Sequence, residues 1–315
     1  METPITQLDT IFLSYDEPNA DENWLDLIGK CPWAKRSHGV YGSDNAHKAA
    51  AAMSDTERFV IVDADNIVSP EFFNQEIDLT VLTDKDLISW PAKNTINGLV
   101  YGNGGIKSWS RKQISDMRSH ENAHREHKSA QVDFCWDMNY LEMKECHSQI
   151  HNNATPYQAF RAGFREGCKM GLVNGTVMSE FNKARIPEGN MKKLLTWMSI
   201  GSDVDNGIWA VYGARLGFWK TNYQRDTWNW ISVRDFAWHD DFWVNTVSPE
   251  FSDNRGKLCL NSGYTWDQIR LWDAIDALGD KIKLETSMEI IQADTATSSF
   301  FKRIQDSNFR HNRQT

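Results

Sequence analysis

The sequence predicts an α/β fold with a mostly parallel central sheet flanked by helices. Three observations point there. Arg58-Phe-Val-Ile-Val62 is apolar at successive positions, as a strand covered on both faces must be. An earlier β-rich run, Thr10 to Tyr15, precedes it, and the alanine-rich stretch Asp44 to Met53 between them has helical character. Strand alternating with helix is the pattern of crossover units rather than of hairpins.

The elements follow in order. Thr10–Tyr15 reads as a first strand opening into a polar, acidic loop from Asp16 to Glu22. Ser43 or Asp44 is the expected N-cap of the alanine-rich helix. The strand Arg58–Val62 stops at Asp63-Ala-Asp65-Asn66, after which Ser69-Pro70-Glu71 starts a short helix with proline in its first turn. Leu87–Trp90 is a further strand, and Asn94 to Gly105 a loop whose turns fall at Gly98, Gly102, Gly104 and Gly105. Thr155-Pro156 opens a helix through about Met170, with Tyr157, Phe160, Phe164 and Cys168 on its apolar stripe. Helical spacing recurs over 205–216 and 265–278, and the last thirty residues turn polar, as a loosely held tail would. Without repeats or low-complexity linkers, one domain is expected. Residues 1–110 and 111–285 form its halves, and 286–315 a C-terminal extension.

A chain of 315 residues, 40% hydrophobic and 24% charged, can bury a real core and is neither disordered nor fibrous in composition. No run approaches 18 apolar residues, so a membrane span is not expected. Met1 to Pro4 lacks the basic and apolar regions of a signal peptide. Five scattered cysteines with no Cys-x-x-Cys pair suit a reducing cytoplasm. The net charge of −9 is uneven: residues 1–100 hold 7 Lys/Arg against 17 Asp/Glu, residues 101–200 hold 14 against 10. The first stretch is unsuited to wrapping a phosphate backbone, whereas the second could face an anion. Fourteen tryptophans offer apolar faces with one donor each, suited to sugars and bases and equally to cores.

The sharpest chemical feature is Phe59-Val-Ile-Val-Asp63-Ala-Asp65-Asn66. Two carboxylates at i and i+2, just past a buried strand, lie where open parallel sheets bind ligands. They can reach one hard cation or a ribose, or they can simply cap the strand end. Mg²⁺ or Mn²⁺ prefers such oxygen donors and completes its shell with water and phosphates.

At these residues the chain resembles a glycosyltransferase of the GT-A type. The first strand with its polar loop is followed by Gly39-Val-Tyr-Gly-Ser-Asp-Asn-Ala-His-Lys-Ala-Ala and then by the strand ending in Asp63-Ala-Asp65, the order of that family's nucleotide-binding half. The resemblance covers residues 8–110 well and the remainder in outline. It implies a Rossmann-like GT-A domain that takes a nucleotide-sugar, UDP-sugar being the expected donor, with Mn²⁺ or Mg²⁺. Asp65 is then the metal ligand and Asp63 the ribose or metal partner. Ser14, Tyr15 and Asp16 lie where the family holds the nucleotide. Asn97 to Lys107 resembles the Gly-rich turn before the acceptor side, where glycines admit a sugar closely. A base for an inverting reaction would be Asp137 ahead of Asp133, although the family's common Glu-Asp dipeptide is missing there. His239, in Trp238-His-Asp-Asp-Phe-Trp243, is the candidate for the further metal ligand that many members carry, or else part of an acidic turn between core tryptophans.

Other features read two ways. Arg161 and Arg165, one helical turn apart, fit phosphate oxygens or an internal ion pair with Glu166. Tryptophans 219, 228, 230, 238 and 243 could form a stacking platform or fill a core. His120, His124 and His127 have zinc-compatible spacing within a charged, solvated stretch. The segments Asn97–Lys107, Asp133–Asp137 and Ala159–Glu166 are together similar to phage-encoded glycosyltransferases that decorate hydroxymethylated pyrimidines in DNA. That narrower resemblance implies 5-hydroxymethylcytosine as acceptor, flipped from the duplex, with the enzyme in the host cytoplasm. A glycan or a small molecule is the other acceptor class. Two further readings stay open. A haloacid-dehalogenase-type phosphohydrolase would use Asp63 as nucleophile, but that family begins with its Asp-x-Asp strand and follows it with Gly-Thr. A non-catalytic carbohydrate-binding module would keep the aromatics without needing the two carboxylates.

Overall fold

The computed structural model describes residues 2–102, 104–118, 138–252, 257–259 and 265–311, with side chains through 306. The fold is mixed α/β, and the chain divides into two units. Residues 1–95 and 99–151 form the first, and residues 96–98 and 152–315 the second.

The first unit contains, in order, β1 (Glu2–Pro4), β2 (Thr10–Ser14), α1 (Ala20–Lys30), β3 (Lys35–His38), α2 (Ser43–Met53), β4 (Arg58–Asp63), β5 (Asn66–Val68), β6 (Glu76–Asp78), β7 (Asp86–Ser89), β8 (Ala92–Asn94), β9 (Val100–Tyr101), β10 (Lys107–Ser110), α3 (Arg111–Asp116), β11 (Asn139–Glu142) and β12 (Ser148–Ile150). Its main sheet has the strand order β11-β7-β10-β4-β2-β3. Strand β2 runs parallel to β3 and β4, and β11 parallel to β7. Between β4 and β7, β10 is antiparallel to both, so the sheet is mixed. A smaller sheet has the order β5-β12-β8-β9, and β1 pairs with β6.

The apolar run of β4 explains the layering. Val60 and Val62 pack with Phe12, Ile88 and the α1 residue Leu27. Phe59 and Ile61 point the other way, to Ile11, Leu87, Trp109 and the α2 alanines Ala50 and Ala51. Fully burying each large apolar side chain contributes about 1.5–3 kcal/mol, and β4 does so on both faces. Arg58, at its start, is buried and donates to the carbonyls of Thr83, Asp86 and Ser108, tying β4 to the strands beyond β10.

The second unit is helical: α4 (Pro156–Met170), α5 (Glu188–Trp197), α6 (Gly207–Tyr223), α7 (Phe236–Phe242), α8 (Ser248–Glu250), α9 (Trp266–Thr286) and α10 (Thr295–His311). As the sequence suggests, Pro156 opens α4 and the Thr155 side chain accepts from the Gln158 amide. Helices α4 and α6 meet backbone to backbone. A Cβ on Gly163 would lie 1.9 Å from the Ala210 carbonyl oxygen, and one on Gly167 2.1 Å from that of Ala214. Reciprocally, a Cβ on Gly213 would lie 2.3 Å from the Phe160 carbonyl oxygen, and one on Gly217 2.3 Å from that of Phe164. Arg215 of α6, 2% exposed, donates to Met198, Ile275 and Ile291 carbonyls and to the Gln292 side chain, joining α6 to the end of α5, the middle of α9 and the segment before α10.

The two compact units meet in sequence after His151, where β11 and β12 have completed both larger sheets of the first. Several expectations need correction. Residues 286–306 are no loose tail: Met288, Ile290, Ala293 and Ser298 are buried, and Lys302 pairs with Asp203 at 2.7 Å. The loop after β2 is shorter than expected, since Asp21 and Glu22 occupy the first turn of α1, where the helix dipole favours acids. Helix α2 starts one residue early, and its cap is Gly42 at φ +85°, with no side-chain cap. Among the described residues no helix is long and apolar enough to cross a membrane.

The helix contact is testable. Ala normally gains about 1 kcal/mol over Gly inside a helix. At Gly167 overpacking reverses the sign, and Gly167→Ala is expected to lower the unfolding free energy by about 1–3 kcal/mol in urea denaturation. A raised midpoint would contradict the close contact of α4 with α6.

Candidate functional site

Strands β2, β3 and β4 present their carboxyl ends together. Ser14 pairs in register with His38, and Leu13 with Asp63. Because β10 is reversed, its first residue, Lys107, lies at this same edge, opposite Ile61 and Ser89. The Gly104-Gly105 turn immediately precedes it. Gly104 has φ +107°, and a Cβ there would lie 3.7 Å from Asp63 Oδ2. At Gly105 a Cβ would meet the Trp90 carbonyl oxygen at 2.2 Å, so neither turn residue leaves room for a side chain without movement or strain.

Two opposed effects act on Asp63. Burial pushes its carboxyl above the ordinary range, and the Lys107 ammonium pulls it back. The turn after it is fastened from three sides. Asn23 Nδ2 of α1 donates to the Ala64 carbonyl at 2.7 Å, and the His151 amide to the Asp65 carbonyl at 2.7 Å. Asn66 Nδ2 donates to Asp65 Oδ1 at 2.9 Å and to the Gly104 carbonyl at 2.8 Å. His151 itself is held by Asn19 Nδ2 through its carbonyl, and burial lowers its imidazole pKa.

On the β2–β3 side, Ser14 Oγ lies 2.9 Å from His38 Nδ1 and accepts from Arg36 Nε. The same guanidinium pairs with Asp21 at 2.8 Å. Tyr15 and Tyr41 are exposed and meet edge to face, with ring centroids 6.1 Å apart. Asp16 is exposed beside Tyr15. One edge therefore offers two carboxylates, a lysine, a guanidinium–imidazole pair and two exposed phenols. Hard-cation ligation, phosphate neutralisation and stacking on a flat ring are all within this chemistry.

The sequence-predicted residues divide between the units. Ser14, Tyr15, Asp16, Asp63 and Asp65 belong to the first unit. Arg161 and Arg165 lie on α4 in the second, where their guanidinium carbons stand 4.9 and 6.0 Å from the Phe236 ring centroid. Glu166, the expected partner for one of them, pairs with Lys169 at 3.2 Å. His239 is 1% exposed, packed against Phe164 and Trp238, and its Nε2–H donates to the Val233 carbonyl at 3.0 Å. Tryptophans 228, 230, 238 and 243 join Phe160 and Phe164 in the same aromatic core. Trp219 stacks on Tyr223 at 4.5 Å. Asp133, Asp137 and the histidines at 120, 124 and 127 lie outside the described residues. Among the described residues no group of three or more His, Cys, Asp or Glu side chains is arranged to hold a metal ion.

Asn66, Lys107, Arg36 and His38 were not singled out from sequence. Asn66 adjoins the aspartates and was legible as a neighbour. The other three reach the edge through strand pairing, which no local pattern announces.

The buried imidazole makes a pH prediction. Burial pushes His239 down from 6.5 to about 3, the Val233 bond opposing this and Arg165 and Arg161 adding to it. Below pH 6.5 the unfolded chain takes up a proton that the folded chain refuses, so stability falls as pH drops toward 3, by about 1.4 kcal/mol per unit. Between pH 7 and 5 the wild type should lose roughly 2 kcal/mol more than His239→Gln, read from urea melts at both pH values. Equal losses would mean that the histidine titrates normally in the folded chain.

Compared with known proteins, the chain matches no family model and no curated protein, which leaves the geometry of the site itself as the guide to function.

Proposed function

We propose that the protein is a metal-dependent glycosyltransferase of the GT-A type, moving a sugar from a nucleotide-sugar, UDP-sugar first, to an acceptor hydroxyl. The observation that carries this reading is Asp63-Ala-Asp65 at the carboxyl end of β4, beside the ends of the parallel strands β2 and β3. The donor set fits a divalent cation. Mg²⁺ and Mn²⁺ are commonly held by one or two carboxylates plus phosphate and water oxygens, so a cluster of three protein ligands is not needed.

In this reading Asp63 and Asp65 hold the cation, which neutralises the departing diphosphate when bound. Lys107 adds positive charge beside Asp63. Tyr15, with Ser14 and Asp16 around the end of β2, receives the base and ribose. Arg161 and Arg165, on α4 of the second unit, remain candidates for binding an anion there. His239, donating to Val233 from an aromatic core, is a weaker candidate for a metal ligand than the two aspartates. Asp137, or Asp133, would serve as the base toward the acceptor hydroxyl, with 5-hydroxymethylcytosine in DNA the first acceptor to try.

Calorimetric titration of UDP with and without Mn²⁺ tests the donor site. Mn²⁺ is expected to tighten UDP binding at least about tenfold in the wild type, as a charge-assisted contact worth roughly 1.5–3 kcal/mol would. Asp65→Ala should remove that gain. Binding that ignores Mn²⁺, or an unaffected Asp65→Ala variant, would overturn the reading. Incubation with UDP-sugars and 5-hydroxymethylcytosine DNA, followed by mass analysis of the nucleosides, tests the acceptor. No mass gain would remove DNA from consideration.

A further inference from the structure

Asn66 is 1% exposed, at the start of β5 and one residue beyond the second aspartate. Both of its described side-chain donations go to the candidate site. Nδ2 reaches Asp65 Oδ1 at 2.9 Å and the Gly104 carbonyl at 2.8 Å. Its Oδ1 is buried and has no partner among the described residues. The amide cannot be turned over profitably, because its carbonyl would then face a carboxylate and another carbonyl. A side chain serving only to fill the strand start would do better as an apolar group of similar size, which carries no orphaned acceptor. The amide therefore earns its place through the two groups it holds.

One of those groups is the second carboxylate itself, and the other belongs to the glycine beside the first. Asp65 is fixed at one carboxylate oxygen. Gly104 is held by its carbonyl, and its Cα lies beside the Asp63 carboxylate, where a Cβ would be 3.7 Å from Oδ2. One buried amide thus sets the orientation of Asp65 and the position of the turn that borders Asp63. We propose that Asn66 is the positioning residue of the divalent-cation site, orienting the Asp65 carboxylate before the ion arrives. The inference rests on the donor-site reading above. Partners of this kind typically change metal affinity 10–100-fold when removed.

The test uses the full chain and the Mn²⁺-dependent part of UDP binding, measured by calorimetry alongside a thermal melt of each variant. Asn66→Ala is expected to weaken binding of UDP in the presence of Mn²⁺ by 10–100-fold. Binding of UDP without Mn²⁺ should not change, a contrast that general loosening of the fold would not produce. In an Asp65→Ala background, removing Asn66 should cost nothing further, because it acts through that carboxylate. Should Asn66→Ala fail to fold, Asn66→Asp replaces the donor by an oxygen at constant shape. It should weaken Mn²⁺-dependent binding although it adds a negative charge, whereas a site governed by charge alone would tighten.

Wild-type Mn²⁺ dependence with Asn66→Ala at wild-type affinity would overturn the role of Asn66 and leave the donor site standing. So would additive losses in the double variant, or tighter binding by Asn66→Asp. No Mn²⁺ dependence in the wild type would overturn both.

Discussion

A carboxylate withdrawn from water must find compensation or give up its charge, and Asp63 sets that condition at the centre of the first unit. Burial raises its pKa above the ordinary carboxylate range, and the Lys107 ammonium opposes that rise. The compensation comes from Lys107, and the reversed strand β10 explains how it arrives. A parallel strand beside β4 would present its last residue at this edge, after a crossover. An antiparallel one presents its first, directly after a tight turn, so the cation and the two glycines come as one piece. The mixed character of the sheet is in this sense a property of the site. It delivers a lysine and an open turn to the end of the strand that carries the aspartates.

The same edge is built from polar side chains that hold backbone. Asn23, Asn66 and the His151 amide each take a bond to the turn 64–66 or to the carboxylate on it, and Asn19 in turn holds His151. Loops left to themselves sample many conformations, and ordering each residue costs about 1–2 kcal/mol in backbone entropy. Here that cost is met during folding, by donors from α1, from β5 and from the end of β12. A turn assembled this way holds its carboxylates and carbonyls in place without further ordering.

How much of this was legible follows from the range of the interactions. The buried strand, the helix at 43–53, the proline-opened helix after Thr155 and the aspartates at 63 and 65 are local patterns, and the sequence shows them directly. Helix α1 was missed because its acidic first turn, Asp21 and Glu22, looks like loop when read by polarity. Strand β10 was hidden because it is short and polar and directly follows a glycine-rich stretch. The division into two units was hidden because β11 and β12 are short and polar or mixed, and become strands only through pairing with β7, β5 and β8. Long-range pairing also brings Arg36, His38 and Lys107 to the site. None of the three stands out in its own neighbourhood.

The tryptophans illustrate how packing can imitate recognition. Helices α4 and α6 approach so closely along Gly163, Gly167, Gly213 and Gly217 that no side chain fits between them. The large residues must then lie to either side of the contact, where the helix surfaces diverge and wide apolar rings fill space that aliphatic chains would leave partly open. Phe160 and Phe164 flank the glycines on α4, and around them gather Tyr212, Trp228, Trp238, Phe242 and Trp243. Arg161 and Lys220 lie over outer ring faces of this group, at 4.9 Å from Phe236 and 5.5 Å from Phe242. Trp209, Trp228, Trp230, Trp238 and Trp243 thus belong to the packing around the helix pair. Two aromatics with exposed rings, Tyr15 and Tyr41, stand at the carboxyl edge of the other unit's sheet. Recognition of a flat ring is better sought at those two phenols than among the indoles.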